Sequence, residues 1–202
     1  MGITLFGTSN SRALRSVWAM EETGVAYEHV PTHFATDTKA PEYAAINPNR
    51  RIPALQDGEI RLFESMAINL YLAKQYATHL YPTAPAAEGQ VLQWSLWGVT
   101  EIEPLQMQIV VQQFFVPKEK RNAAVVAQAE KSLARPLAVL EQALTGRDWL
   151  VGDAFTIADL NVSAVMLLLE MVKFDLGAWP NVQRWLAACY ARPALASARA
   201  RD

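Results

Sequence analysis

The sequence predicts a small α/β domain followed by a larger all-α domain. Over about the first 78 residues, short β-type runs alternate with segments in which apolar residues recur at helical spacing. The segment 79–86 contains two prolines and is typical of a linker. After that segment, the apolar residues recur at helical spacing alone. We therefore expect an α/β domain at 1–78, a linker at 79–86 and a helical domain at 87–202.

Local signals delimit the elements of both domains. Gly24 is a typical stop for a helix that begins near Ala13, because glycine readily adopts the left-handed conformation at a helix C-terminus. The pair Asp57-Gly58 predicts a hairpin turn between two β-type runs. The predicted elements of the first domain are strand 3–6, helix 13–23, strand 27–30, a short helix at 41–45, a hairpin over 52–63 and helix 65–76. In the second domain we expect helices near 87–116, 120–144, 156–172 and 180–191, with Pro104 and Pro136 at helix starts or kinks.

The composition favours a soluble cytoplasmic protein without a signal peptide. Of the 202 residues, 51% are hydrophobic, which is enough to form a core. The formal net charge of −2 gives no basic excess, so we expect neither nucleic acid nor a membrane as a partner. The longest apolar run, at 162–169, is far shorter than the roughly 20 residues that span a bilayer. The single cysteine, Cys189, excludes an intrachain disulfide, and we expect it to be buried.

Four motifs follow one another along nearly the whole chain. They are INPNRRIPAL at 46–55, FESMAINLYLA at 63–73, WLVGDAFTIADL at 149–160 and WPNVQRWLAACYARPAL at 179–195. Together and in this order they resemble the cytosolic glutathione transferase family, in the form of a bacterial member with a theta-like serine loop. The resemblance implies a thioredoxin-like domain with a helical domain, assembled as a homodimer. It also implies an enzyme that conjugates the thiolate of glutathione, its co-substrate, to small apolar electrophiles without a metal.

The resemblance further implies where glutathione binds. A cis bond between Ile52 and Pro53 at a strand start would free the main chain of Ile52 to pair with the cysteinyl part of glutathione. Ser65 would bind the γ-glutamyl carboxylate and Glu64 would orient the α-ammonium group. A helix N-terminus suits a carboxylate, although Ser65 is by itself also a good N-cap.

Two cations are candidates for binding the glycine carboxylate of glutathione. Lys39 lies in TKAPEY at 38–43, which resembles a phi-class pattern in which a histidine precedes the lysine; here Thr38 takes that place. Arg51 follows Arg50 where many family members have glycine and lysine. Both cations are equally compatible with solvated loop positions.

The segment GTSNSR at 7–12 stands where the first strand meets the first helix. A free thiol has a pKa near 8.5, and lowering it by about 2 units requires about 2.7 kcal/mol. A hydroxyl that donates to the thiolate supplies roughly 1.5–3 kcal/mol and the helix N-terminus about 0.3–1 kcal/mol. Aligned with the theta class, the catalytic serine is Ser11; aligned with the zeta, phi and tau classes, that serine falls on Asn10, and Ser9 or Thr8 remain alternatives. Ser11 also suits an N-cap of a helix starting at the next residue, with its hydrogen left for a ligand.

The second domain would contribute the electrophile site. The first helix of this domain and the Phe114-Phe115 region would line it, and the candidates are Met107, Gln108, Val111 and Phe115. The pattern from Thr156 to Asp159 is a capping box that indicates stability rather than chemistry. The three histidines lack the spacing of zinc ligands, since Pro31 separates the two that are close in sequence.

Two other functions are compatible with the same fold. One is a glutathione-dependent disulfide or peroxide reductase. Bacterial family members with Thr or Asn in the segment that corresponds to GTSNSR resemble such reductases. The other is an interaction protein that has lost glutathione binding. The presence of Ile52-Pro53 and of Glu64-Ser65 argues against the latter.

Overall fold

The computed structural model describes residues 2–202, which form two compact units. The first unit comprises the described residues through Thr83 together with Ala191–Asp202, and the second comprises Ala84–Tyr190. Residues 191–202 thus belong to the α/β unit. None of the helices in the described part of the chain is long and apolar enough to cross a bilayer.

The elements follow the predicted order of strands and helices. They are β1 (Ile3–Phe6), α1 (Leu14–Thr23), β2 (Tyr27–Val30), β3 (Ala54–Asp57), β4 (Ile60–Phe63), α2 (Ser65–Tyr76), α3 (Pro85–Trp97), α4 (Glu103–Val110), α5 (Ala123–Ala143), α6 (Ile157–Met171), α7 (Pro180–Tyr190) and α8 (Pro193–Arg199). The predicted short helix at Pro41–Ala45 is a 3₁₀ turn, since five residues beginning with proline complete little more than one turn.

The strands form one sheet in the order β2-β1-β3-β4. Strand β1 is parallel to β2 and antiparallel to β3, and β3 is antiparallel to β4. In this register Phe6 faces Ala54, and Ala54 faces Phe63. The segment that follows β1, the segment that precedes β3 and the segment that follows β4 therefore lie at the same end of the sheet.

Apolar side chains of the sheet and of the helices form the core of the first unit. Leu5 and Leu55 are fully buried on neighbouring strands, and Trp18 on α1 and Leu72 on α2 are equally buried. Helix α2 is also tied to the β3–β4 hairpin, because the hydroxyls of two tyrosines on α2, at positions 71 and 76, donate to the Asp57 carboxylate.

The predicted helix at 87–116 is interrupted twice in the second unit. Helices α3 and α4 are separated by a π-helical turn at Gly98–Ile102, and a second π-helical turn at Val111–Phe115 follows α4. Pro104 lies in the first turn of α4, directly after the π-helical turn, and has no N–H to donate to the carbonyls of that turn. Pro136 lies inside α5, which continues through it. π-helical turns are rare and are frequently found at functional sites.

A buried carboxylate organises the second half of this unit. The predicted capping box is confirmed, with Asp159 accepting from the Thr156 N–H at 2.9 Å. The Asp159 carboxylate also accepts from the Leu150 N–H and from Trp185 Nε1, each at 2.9 Å. Burial raises the pKa of Asp159 above its ordinary value, while these donors act in the opposite direction. Cys189 on α7 is buried, as predicted.

Gly7 allows the chain to turn directly from β1 toward α1. Its φ is +137°, a conformation that residues with a Cβ rarely adopt. A Cβ at this position would lie 2.5 Å from the Ala13 Cβ and 3.3 Å from the Ile52 Cβ. The absence of a side chain at Gly7 therefore allows the segment after β1 to lie close to the segment before β3.

We expect Gly7→Ala to lower the free energy of unfolding by about 3 kcal/mol or more, because backbone strain adds to the clash with Ala13. Gly24→Ala is the matched control: φ there is +66° and nothing lies within 4 Å of the added Cβ. Strain alone should cost the control about 1 kcal/mol. Urea unfolding of both variants measures the difference, and equal losses would show that close approach at Gly7 has no energetic consequence.

Candidate functional site

Three loops meet at one end of the sheet in the first unit. They are Gly7–Ser11 after β1, the segment around Ile52 before β3, and the Glu64–Ser65 junction after β4. The close approach of Gly7 to Ile52 joins the first two loops directly. Each loop contains residues that the sequence predicts to bind a ligand, so the fold brings these predicted residues to one place.

The loop before β3 is held firmly while its last peptide groups stay available. The bond between Ile52 and Pro53 is cis, as predicted. The Arg51 carbonyl accepts from the Tyr43 hydroxyl at 2.9 Å and from Asn47 Nδ2 at 2.8 Å. Burial raises the pKa of Tyr43 to about 12, so its hydroxyl remains a proton donor. Within residues 2–202, the N–H and C=O groups of Ile52 have no hydrogen-bond partner, and they can pair with the main chain of an extended ligand.

The junction after β4 combines an unusual backbone conformation with unused polar groups. Glu64 occupies the N-cap of α2 with a φ of +71°, and Ser65 is the first residue of the helix. The expectation that Ser65 is the N-cap is therefore wrong, because the turn out of β4 places Glu64 at that position. In the described part of the chain the side chains of both residues lack a hydrogen-bond partner. A non-glycine residue with positive φ costs about 1–3 kcal/mol and is typical of ligand-binding positions.

The two candidate cations lie on neighbouring loops. Arg50 Nη1 contacts the Lys39 carbonyl at 3.5 Å, which brings the turn at Asp37–Lys39 beside the loop before β3. The side chains of Lys39 and Arg51 are exposed and have no acidic partner in residues 2–202. Thr38, in contrast, is buried and donates its hydroxyl hydrogen to the Phe34 carbonyl at 2.7 Å, so its role is structural.

Ser11 uses both of its hydrogen-bonding capacities within its own loop. Its hydroxyl donates to the Thr8 carbonyl at 2.7 Å and accepts from the Ala13 N–H at 3.0 Å. Helix α1 begins at Leu14 with Ala13 as its N-cap, so the expectation that Ser11 caps a helix starting at Arg12 is corrected. As predicted, the Ser11 hydroxyl oxygen accepts a hydrogen bond from the backbone at the start of α1. The single hydroxyl hydrogen is donated to the Thr8 carbonyl, so it is not available to a ligand.

The remaining candidates in this loop differ in environment. Asn10 is exposed and its side chain has no partner within the described residues. The Thr8 hydroxyl oxygen is buried without a hydrogen-bond partner in the same range, which is uncommon for a polar atom. The Ser9 N–H donates to both carboxylate oxygens of Asp202, at 2.8 and 3.0 Å. Sequence reasoning missed this contact, because no local pattern links residues 193 positions apart.

The second unit exposes aromatic surface on its second π-helical turn. Phe114 is 54% exposed and Phe115 is 64% exposed. Val111, at the start of the same turn, is also exposed, whereas Met107 on α4 is half-buried. Exposed large apolar side chains in a cluster are typical of surfaces that bind apolar partners. Among residues 2–202, no cluster of histidine, cysteine or acidic side chains is arranged to hold a metal ion.

Comparisons with known proteins agree with one another over the whole chain. The sequence matches the family models "Glutathione S-transferase, N-terminal domain" over residues 1–74 and "Glutathione S-transferase, C-terminal domain" over residues 102–193. Glutathione S-transferase 3 of Zea mays is 36% identical, over 95% of this chain and 90% of the relative. A glutathione S-transferase of Hyoscyamus muticus is 31% identical over 98% of both chains.

A solved structure extends this likeness to three dimensions. The theta class glutathione S-transferase of Xanthomonas axonopodis pv. citri, crystallised with glutathione bound, superposes with a TM-score of 0.91 at 32% identity. The superposition covers 100% of this chain and 99% of that chain.

Proposed function

The chain belongs to the glutathione S-transferase family and is a glutathione transferase, and from this premise we propose that the three loops at the sheet end bind glutathione. One observation carries the proposal: polar groups that have no partner among residues 2–202, at Ile52 and at Glu64-Ser65, lie at the same sheet end as the hydroxyl-rich Gly7–Ser11 loop. The glutathione-bound theta-class neighbour supports it.

The peptide backbone of glutathione would lie along the loop before β3. Its cysteinyl N–H and C=O would pair with the C=O and N–H of Ile52, which lack partners in residues 2–202. Its γ-glutamyl carboxylate would bind the Ser65 hydroxyl and the first N–H groups of α2, where the helix dipole favours an anion. The exposed Glu64 carboxylate would bind the α-ammonium group.

The glycine carboxylate of glutathione would lie near Lys39 and Arg51. Both cations are exposed and lie on adjacent loops, so a carboxylate there would gain their attraction without a large desolvation cost. Each contact of this kind contributes on the order of 1 kcal/mol.

The thiolate would accept a hydrogen bond from the Ser11 hydroxyl. In the structure the Ser11 hydroxyl donates to the Thr8 carbonyl, so it would have to rotate to donate to the sulfur. A charge-assisted hydrogen bond is about twice as strong as a neutral one, so exchanging the carbonyl for a thiolate is favourable. Asn10 is the alternative donor, because its exposed amide can reach a ligand without breaking a contact.

The electrophile would bind apolar surface of the second unit. The exposed Phe114, Phe115 and Val111 on the π-helical turn support an apolar second substrate. We also propose a cytoplasmic location, since the fold contains one buried cysteine and needs no oxidising compartment.

We propose that the protein is a homodimer that uses the exposed face of α3. Leu92 is 41% exposed and Leu96 is 59% exposed, and residues four positions apart lie on one face of a helix. Two exposed leucines side by side favour burial against another chain.

The thiol pKa of bound glutathione tests the role of Ser11. Ser11→Ala should raise this pKa by about 1–2 units, because a charge-assisted hydrogen bond of roughly 1.5–3 kcal/mol is lost. Asn10→Ala should leave it unchanged. Thiolate absorbance against pH measures both, together with conjugation of an aryl halide. An unchanged pKa in Ser11→Ala, with a raised one in Asn10→Ala, would assign the donor role to Asn10.

Glutathione and its glycyl ethyl ester distinguish the carboxylate contacts. The wild type should bind glutathione about 5-fold to 10-fold more tightly than the ester, since the ester lacks the anion. Lys39→Ala and Arg51→Ala should each reduce this preference, whereas Arg61→Ala removes an exposed arginine of β4 and should not. Calorimetric titration measures the ratio, and an unaltered preference in both variants would place the glycine carboxylate elsewhere.

Light scattering tests the dimer. The wild type should have twice the mass of one chain, and the double variant Leu92→Glu/Leu96→Glu should be monomeric, because buried unpaired charges are costly at an interface. Val139→Glu is the control, since that side chain on α5 is 46% exposed. A monomeric wild type, or a dimeric double variant, contradicts this assignment.

A further inference from the structure

Asp202 lies against the loop that holds Ser11. Its two carboxylate oxygens accept from the Ser9 N–H at 2.8 and 3.0 Å. Asp202 follows α8, which packs against α1 in the first unit. A formal negative charge is therefore bound to the backbone of the loop in which a thiolate is to form.

The segment before Asp202 is fixed to the first unit by charge. Arg201 contacts the Glu21 carboxylate at 2.7 and 2.8 Å and lies over the Tyr27 ring, 4.6 Å from its centroid. The Tyr27 hydroxyl donates to the same Glu21 oxygen at 2.6 Å. At the start of α8, its N-cap residue Arg192 binds the Glu22 carboxylate through two nitrogens, at 2.6 and 2.7 Å. These contacts of Arg201 and Arg192 hold Asp202 beside the Gly7–Ser11 loop without involving the Asp202 carboxylate.

Asp202 and Ser11 bind opposite ends of a single peptide group. The N–H that Asp202 accepts belongs to Ser9, and the carbonyl of that same peptide belongs to Thr8. The Ser11 hydroxyl donates to this carbonyl at 2.7 Å. The hydrogen bonds therefore run from the Ser11 hydroxyl through one peptide group to the Asp202 carboxylate. Hydrogen bonds in such chains polarise one another.

We propose that Asp202 is a positioning residue that restrains the Ser11 hydroxyl. By accepting the Ser9 N–H, its carboxylate makes the Thr8 carbonyl a stronger acceptor and keeps the hydroxyl hydrogen on that carbonyl. A hydroxyl has one hydrogen, so the hydrogen held by Thr8 is unavailable to a thiolate. Release or neutralisation of Asp202 favours donation to the sulfur. This inference rests on the proposed role of Ser11 as thiolate donor.

The Asp202 charge also acts on the thiolate through space, and this repulsion has the same sign as the restraint. The two effects differ in their dependence on Ser11. Restraint requires a hydroxyl to restrain, whereas repulsion between two charges persists without one. A double-mutant comparison therefore separates them.

The thiol pKa of bound glutathione is the readout. Asp202→Asn should lower it by about half a unit, which is about a threefold rise in the thiolate fraction below the pKa. In a Ser11→Ala background, Asp202→Asn should produce a smaller shift, because only the repulsion through space remains to be removed. Glu59→Gln removes one exposed negative charge from the β3–β4 turn at the opposite end of the sheet, and it should leave the pKa unchanged. Equal shifts from Asp202→Asn in both backgrounds would overturn the restraint in favour of repulsion through space.

Two further measurements keep the inference separate from the role of Ser11. In protein without glutathione, the Ser9 amide proton should move upfield in Asp202→Asn, and an unmoved resonance would show that the contact does not form in solution. Arg201→Gln retains the Asp202 charge but loosens its anchor, so it should lower the thiol pKa as Asp202→Asn does. If Ser11→Ala fails to raise the thiol pKa, the proposed function of Ser11 is wrong. If Ser11→Ala raises it and Asp202→Asn does not lower it, the restraint alone is wrong.

Discussion

The strand register of the first unit is the constraint on which the site depends. Because Phe6 pairs with Ala54 and Ala54 pairs with Phe63, the three segments that we propose to bind glutathione leave or enter the sheet at one end. Gly7 then lets the first segment approach Ile52 closely. The proposed site is therefore assembled from three segments. They supply the hydroxyls of the Gly7–Ser11 loop, the peptide groups of Ile52 and the N-terminus of α2. Under the proposed function, glutathione would pair with the polar groups that lack partners in residues 2–202 and would offset the strain at Glu64.

In the proposed reaction, the Thr8 carbonyl and the glutathione thiolate compete for the hydrogen of the Ser11 hydroxyl. The Ser11 hydroxyl is held between the Ala13 N–H, from which it accepts, and the Thr8 carbonyl, to which it donates. Under the proposed role of Ser11, the first contact orients the oxygen and is compatible with catalysis, whereas the second would be exchanged for a contact with the thiolate. The balance between carbonyl and sulfur decides how far the thiol pKa falls. Any group that polarises the Thr8–Ser9 peptide, as the Asp202 carboxylate does, acts on that balance.

Much of this could be predicted from the sequence, because the relevant signals are local. The order of strands and helices and the capping box at Asp159 arise from signals within a few residues, whereas the cis bond at Pro53 was implied by the resemblance to the family. The alternative role of Ser65 as an N-cap is absent from the structure, because the turn from β4 places Glu64 at the N-cap position. The contact between Ser9 and Asp202 could not be predicted, since only the packing of α8 on α1 brings these residues together.

A crystal structure of the glutathione complex would show which residue donates to the sulfur. We expect glutathione along Ile52 and Ser65, with its sulfur within hydrogen-bonding distance of the Ser11 hydroxyl and that hydroxyl no longer directed at the Thr8 carbonyl. A sulfur bound by Asn10 or by the buried Thr8 hydroxyl, with Ser11 still donating to the Thr8 carbonyl, would contradict it.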